Sequence, residues 1–358
     1  MAINFERLTE NTFIARGPTN LGLYAFGEGA GAFALAIDSG GDEDAGRRVV
    51  REAERLGLRL TALLNTHSNA DHCGGNAFVR RRTGCAIAAT EIEAAFLQFP
   101  RLEPSFLAGG FPQKAIRNKF LMAPPSNATH LIEPPCFFGI DERGAPQISA
   151  PQSIATPMSA AEAKGAAQIQ PAPLPARADA LSIVALPGHY FGMVGAMTPD
   201  GVFFIADALA GAPIIEKYGV YFFYDLAAEL ETLSMLERAE AAWFVPSHAE
   251  PVRDIKPLVA LNRDKIFEIA DWIVKLASEG KVWAATEAAI GGPREDSAAR
   301  ASLEDIVAGV CARYSIALNA DQHVLVGSTI RSYLSWLCDQ GRLEYGFERN
   351  RMIFRKPQ

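Results

Sequence analysis

A mixed α/β fold with a mainly helical C-terminal region is what this 358-residue sequence predicts. Three observations carry that expectation. The opening third alternates short apolar, strand-like runs with amphipathic helical ones. Several apolar runs close on a histidine or an aspartate, as strands do when the loops at their C-terminal ends build a site. Beyond residue 256 the apolar spacing changes to that of helices and holds over most of the remainder.

Residues 12–15, 21–26 and 33–37 read as strands, the last ending at Asp38-Ser39-Gly40-Gly41. An aspartate before glycines is a common turn. Residues 44–56 place Ala45, Val49, Val50, Ala53 and Leu56 on one face, an amphipathic helix that Gly57 stops. Residues 60–64 read as a buried strand, and a helix over 75–83 and a strand over 86–89 follow. From about 96 to 178 the pattern dissolves into sequence rich in Pro, Ala, Gly and Gln, with apolar anchors at Phe106, Phe111, Phe137 and Phe138. This stretch is expected to be an insertion that partly covers a site mouth, with a flexible section near 151–175. Strand-like runs return at 181–186, 203–207 and 244–248. Residues 257–276 then predict a long helix, and 328–339 an amphipathic helix with Ser328 as its N-cap. Past Gly341, residues 342–345 and 351–355 predict two short strands. The expected domains are 1–255, carrying the site, and 256–358.

The composition limits the function classes. A 49% hydrophobic chain of this length can fill a sizeable core. No run of about 18 uninterrupted apolar residues occurs, which argues against a membrane span. Glu6, Arg7 and Glu10 stand where a signal peptide would need an apolar stretch. The five cysteines lack paired spacing, and together these features predict a cytoplasmic protein. A net charge of −7 argues against general nucleic-acid binding, though a local basic patch could survive it.

The stretch Asn65-Thr66-His67-Ser68-Asn69-Ala70-Asp71-His72-Cys73-Gly74-Gly75-Asn76 carries the chemistry. Two imidazoles and a carboxylate fall within six residues, on the loop that leaves the run 60–64. These donor types suit zinc or iron. Positions 67, 69 and 71 can point one way on a tight loop while His72 points the other, so one segment can serve two adjacent metal positions.

The segment resembles the His-x-His-x-Asp-His signature of the metallo-β-lactamase superfamily, with Asn69 in place of the second histidine. The remaining family positions follow in order: His189 in Leu186-Pro187-Gly188-His189, Asp207 closing Phe203-Phe204-Ile205-Ala206-Asp207, and His248 closing Phe244-Val245-Pro246-Ser247-His248. Four of the six histidines fall on such positions, leaving His130 and His323 without a role. The resemblance covers about residues 10–255 and implies an αββα sandwich with a lid-like insertion. It implies that His67, Asn69 and His189 hold a first metal and that Asp71, His72 and His248 hold a second. Asp207 would bridge the two, and Asp71 would orient the nucleophile. Asp38 and Gly40 match the family's Asp-x-Gly turn, from which Asp38 would brace the metal loop. Tyr190, Lys217, Tyr218 and Tyr224 follow ligand loops and are candidates for substrate contact, though packing explains them equally well.

A carboxamide oxygen is a weaker zinc donor than an imidazole, so Asn69 leaves three outcomes open: a looser first zinc, a single zinc at the second site, or a different metal. The resemblance favours a zinc hydrolase of the glyoxalase II branch acting on a thioester or another small ester-like molecule. The rival enzyme is a persulfide dioxygenase holding iron through His67, His189 and Asp207. A nucleic-acid-processing hydrolase and a binding protein with a degenerate site are further alternatives. Helix, glycine, strand, turn and strand at the C-terminus resemble a winged-helix tail. Ser328, Thr329, Arg331, Arg349, Arg351 and Arg355 could touch phosphates there, but Asp339, Glu344 and Glu348 lie among them. Tails of this kind commonly pair subunits, which leaves a homo-oligomer open.

Overall fold

A computed structural model of the chain describes residues 5–27, 29, 32–150, 177, 179–279 and 300–357. Two compact units result: Met1–Gly211 with Ala228–Val259, and Ala212–Ala227 with Ala260–Gln358. This division differs from a single cut at 256, because residues 212–227 join the second unit. In chain order the described α-helices are α1 (Glu43–Arg55), α2 (Ala70–Cys73), α3 (Asn76–Thr83), α4 (Glu91–Gln98), α5 (Leu102–Ala108), α6 (Ala212–Tyr218), α7 (Leu226–Arg238), α8 (Lys256–Glu279), α9 (Leu303–Arg313) and α10 (Ala320–Asp339).

The first unit holds two stacked sheets. One contains β1 (Phe5–Arg7), β2 (Thr12–Ala15), β3 (Leu21–Phe26), β4 (Phe33–Ile37), β5 (Arg59–Leu64), β6 (Ala86–Ala89) and β7 (His130–Leu131), in chain order. The other contains β8 (Cys136–Ile140), β9 (Pro146–Ser149), β10 (Ala180–Ala185), β11 (Val194–Met197), β12 (Val202–Ala210) and β13 (Trp243–His248), in the order β13-β12-β11-β10-β8-β9. The inter-sheet core draws Leu35, Ile37, Ala62, Leu64 and Ala88 from the first sheet and Phe138, Leu181, Ile183, Val194 and Phe204 from the second. Alternate residues of the same strands, Ala34, Ala36, Leu63 and Ile87, pack outward with Val49, Val50 and Ala53 of α1 and Val79 of α3. Burial on both faces explains why these strands read as nearly continuous apolar runs.

Strand direction places the site. β4, β5 and β6 run parallel. β10 and β12 are each antiparallel to β11, and β13 is parallel to β12. The C-terminal ends of β10, β12 and β13 therefore share one edge of their sheet, and those of β4 and β5 share one edge of theirs. His189, Asp207, His248, Asp38 and the 65–76 loop all lie at these ends.

The stretch expected to lose its pattern is largely built. Within residues 96–150 lie the end of α4, then α5, then β7 at the edge of the first sheet and the β8–β9 hairpin of the second. Phe138 is fully buried in the inter-sheet core, so the anchor seen in the sequence is a core strand. These elements run to eight residues or fewer, too short for a period to show through the proline-rich surroundings. The section expected to be flexible, 151–175, lies outside the described residues.

In the second unit, β14 (Ala301–Ser302), β16 (Arg351–Arg355) and β15 (Glu344–Glu348) form a small sheet in that order. A capping box at Ser302 and Asp305 starts α9. The final helix begins well before the expected cap: Asn319, not Ser328, accepts from Gln322 N and starts α10. Ser328 lies inside the helix, nine residues beyond an asparagine that caps about as well as a serine.

Glycines bring the 65–76 loop against its neighbours. A Cβ on Gly74 would lie 2.3 Å from the Gly41 carbonyl, and one on Gly75 would lie 2.5 Å from Ser39 O and 2.7 Å from Gly46 Cα. Backbone bonds from Ser39 N to His72 O (2.8 Å) and from Gly75 N to Gly40 O (3.1 Å) use that close approach. Gly75→Ala is therefore expected to cost about 1–3 kcal/mol, read as a lowered midpoint in urea unfolding with an unchanged slope.

Candidate metal centre

His67, Asp71 and His72 come from the loop after β5 and from α2, His189 from the loop after β10, Asp207 from β12 and His248 from the end of β13. The donor atoms of His67, His72 and Asp207 all lie within 4.8 Å of one another, as do those of Asp71, His72 and His248. His189 joins them: its Nε2 is 3.5 Å from Asp207 Oδ2, and its ring centroid is 5.3 Å from that of His67. Asp207 Oδ2 is 3.1 Å from His248 Nε2 and 4.0 Å from His67 Nε2, while its Oδ1 is 3.2 Å from His72 Nε2. The six histidines and aspartates among the seven residues expected as ligands meet in one place.

The imidazoles are oriented from behind. Asp38 adopts a left-handed backbone (φ 60°), a conformation aspartate tolerates better than most residues. Its carboxylate accepts from Thr66 N (2.9 Å), Thr66 Oγ1 (2.7 Å) and His72 Nδ1 (2.8 Å). With its own proton given to Asp38, Thr66 Oγ1 accepts from His67 Nδ1 at 3.1 Å. His248 Nδ1 donates to Pro18 O at 2.7 Å. In each of the three rings Nδ1 is engaged from outside the cluster, so Nε2 is the nitrogen that faces it. His67 Nε2 is fully buried and forms no hydrogen bond.

Asp207 is aimed by an irregularity. Ala206, just before it, has φ 49°, and the β12–β13 register shifts on both sides of Ala206. A bulge re-aims the next side chain. Left-handed backbone at an alanine costs about 1–3 kcal/mol and persists only where the surroundings hold it.

A second tier of contacts escaped the sequence reading. Thr19 Oγ1 donates to Asp71 Oδ2 at 2.7 Å, and Asn20 Nδ2 donates to the carbonyls of Pro246 and Ala249. Glu93 of α4 accepts from Ser68 N (2.9 Å), Ser68 Oγ (2.6 Å) and Gly192 N (2.7 Å), and so ties the 65–76 loop to the loop that carries His189. Asn65 and Asn76, at the two ends of the motif, bond to each other, with Asn76 Nδ2 to Asn65 Oδ1 at 2.7 Å. The one sequence signal for Glu93 was a carboxylate on the apolar face of a short helix; the carbonyl of Pro18 had none.

The sequence of residues 17–154 matches the family model described as Metallo-beta-lactamase superfamily. Over those residues the chain is similar to the metallo-β-lactamase superfamily. Among solved structures it is similar to a beta-lactamase domain protein from Burkholderia ambifaria (TM-score 0.64, 16% identity, covering 99% of this chain and 94% of that one). It is also similar to a metallo-beta-lactamase family protein from Thermus thermophilus (TM-score 0.61, 16% identity, covering 98% of this chain and 100% of that one). At this identity the likeness is one of fold. No curated protein matches the chain. Among the described residues no helix is long and apolar enough to cross a membrane.

The superfamily signature departs at Asn69. Its Oδ1 lies 3.2 Å from His189 Nε2, and its Nδ2 donates to Glu103 of α5 at 2.9 Å. Tyr190 is 1% exposed and packs its ring near His67, Phe96 and Phe191. Lys217, Tyr218 and Tyr224 belong to the second unit. There Lys217 Nζ donates to Tyr218 Oη at 3.0 Å, and Tyr224 is partly exposed. His130 lies in β7 and His323 in α10.

Without a cation the cluster balances its own charge. Burial lowers His67 and His189 and keeps both neutral. Burial also pulls on His72 and His248, but the facing carboxylates of Asp207 and Asp71 outweigh it, lifting His72 well above its usual range and His248 to about 10. Burial favours neutral Asp207 and Asp71, yet the same two histidines hold both carboxyls well below the ordinary range. Burial raises Glu93 to about 7 against the bonds from Ser68 and Gly192. Burial, with the Asp71 and Glu93 charges, pushes Glu103 well up.

Two consequences can be measured. The His248 proton stabilises the metal-free fold fully below about pH 6.5, the value in the unfolded chain, and that stabilisation is lost as pH rises towards about 10. Thermal midpoints of chelator-treated protein are therefore expected to fall between those pH values. Zinc binding at pH 8 displaces the protons on His72 and His248, so titration calorimetry in buffers of different ionisation enthalpy should record about two protons released by the protein side chains. Midpoints flat from pH 6.5 to 10, with no proton release, would contradict this charge pattern.

Proposed function

We propose that the chain is a metal-dependent hydrolase whose substrate is a thioester or another small ester-like molecule, as in the glyoxalase II branch. The observation that carries this reading is the convergence of Nε2 atoms whose ring partners at Nδ1 are already engaged. One of these Nε2 atoms, that of His67, is buried without a hydrogen bond. An unsatisfied buried polar atom costs about 1–3 kcal/mol, and a divalent cation placed among these nitrogens and Asp207 removes that cost. The donor set of imidazoles and carboxylates fits zinc.

His67 and His189, with Asn69 through its oxygen, would hold one cation, Asp71, His72 and His248 a second, and Asp207 both. A bound divalent cation lowers the pKa of its water from about 15.7 towards 7 and polarises a carbonyl oxygen. The chain's own residues do the rest. Asp71, half-exposed and held by Thr19, is the carboxylate placed to orient an attacking water and take its proton. Asp38, Thr66 and the Pro18 carbonyl keep the imidazoles from turning over. Glu93 holds the two ligand loops at a fixed spacing.

A second reading has its own observation. His67, His189 and Asp207 lie together and make the two-histidine, one-carboxylate set of non-haem iron oxygenases, which supports a persulfide dioxygenase. Metal analysis after aerobic purification separates the two. About two zinc per chain, with hydrolysis of a thioester from a panel that includes lactones, phosphodiesters and β-lactams, is expected. One iron with oxygen uptake on a persulfide would replace the hydrolase by the dioxygenase. In the hydrolase, Asp207→Ala is expected to lose metal and activity together; undiminished metal content and turnover in that variant would refute the shared-ligand role.

A further inference from the structure

Two buried carboxylates from α4 and α5 reach the 65–76 loop, and the second ends on the residue that breaks the superfamily signature. Glu103 is 6% exposed, and its Oε1 accepts from Asn69 Nδ2 at 2.9 Å. That bond sets which way the Asn69 carboxamide faces. With its NH2 end on Glu103, the amide oxygen is turned to the cluster, 3.2 Å from His189 Nε2. A carboxamide free to rotate would present either end, and an NH2 group facing a cation repels it. Donation from the amide N–H to a carboxyl oxygen also polarises the amide and makes its oxygen a better donor to a cation.

We propose that Glu103 is the positioning residue that makes Asn69 a metal ligand, so that the Asn69–Glu103 pair does the work of one imidazole at the first metal position. The assignment rests on reading the cluster as a metal centre. It gives the helices of residues 91–108 a function beyond cover, because α5 supplies the group that completes the ligand set. Since Glu103 acts through Asn69, its removal should change one affinity and spare the other, which a general loosening of the fold would not do.

The test is zinc titration of the metal-free full chain against a chromophoric chelator, with far-ultraviolet circular dichroism to verify folding. The wild type is expected to bind one zinc tightly and one more weakly. Glu103→Met, which fills similar space without an acceptor, should weaken the looser site about 10- to 100-fold and leave the tighter one unchanged. Glu103→Gln, which retains an acceptor oxygen, should restore most of that affinity. Asn69→Ala should weaken the same site by a comparable factor. The double variant Asn69→Ala with Glu103→Met buries no unpaired amide, and so covers the case in which Glu103→Met alone does not fold; it should bind zinc no worse than Asn69→Ala. Two undisturbed affinities in Glu103→Met, or a further loss in the double variant, overturns the role of Glu103 and leaves the metal centre standing. A wild type that takes up no zinc overturns the metal-centre reading and this assignment with it.

Discussion

The Asp38 carboxylate takes hydrogen bonds from Thr66 N, Thr66 Oγ1 and His72 Nδ1 while its own backbone sits at φ 60°. Through the Thr66 hydroxyl the same group also fixes the proton of His67. One buried acid therefore sets two imidazoles at once, and both are fully buried. An imidazole in a closed interior can be turned over only by breaking the bond at its far nitrogen. The arrangement is possible because the loops after β4 and β5 leave the same edge of one sheet, and glycines let them touch backbone to backbone. A side chain on either glycine would separate Asp38 from the rings it holds.

The charges at this edge explain why it is hard to build and why it is useful. Asp207 is 4% exposed, and an isolated carboxylate there would be strongly disfavoured. Protons on His72 and His248 neutralise it in the metal-free chain. A divalent cation would take over that role with fewer protons bound. The same two carboxylates thus stabilise either protons or metal, and solution pH sets the balance between them.

Much of this was legible in the sequence. β2, β3, β4 and β6 begin and end where their apolar runs do, because strands buried on both faces leave an unbroken signature. The candidate ligands were legible because the chain has only six histidines, two of which crowd with Asp71 on a short loop after an apolar run, while His189 follows such a run and Asp207 and His248 close such runs. Two classes of feature were not. Short elements such as α5 and β8 hold too few residues for a period to emerge. Supporting contacts such as Glu93 to Gly192, or His248 to the Pro18 carbonyl, join residues 99 and 230 positions apart, and nothing local marks them. The start of α10 was misplaced because Ser328 and Asn319 are both capable caps, and only the backbone distinguishes them.

The turn between β2 and β3 adds a consequence of its own. Within three consecutive residues it sends a carbonyl to His248, a hydroxyl to Asp71 and an amide to the carbonyls of Pro246 in β13 and of Ala249 just past it. Hairpin register is strict, since a slip by one residue exchanges the two faces of a strand. A turn lengthened by a single residue would put the Pro18 oxygen out of reach and free the His248 ring to flip. An N-terminal hairpin remote in sequence from every histidine is thereby as much a part of the cluster's framework as the loops that bear them, and its length should be among the least negotiable features of the chain.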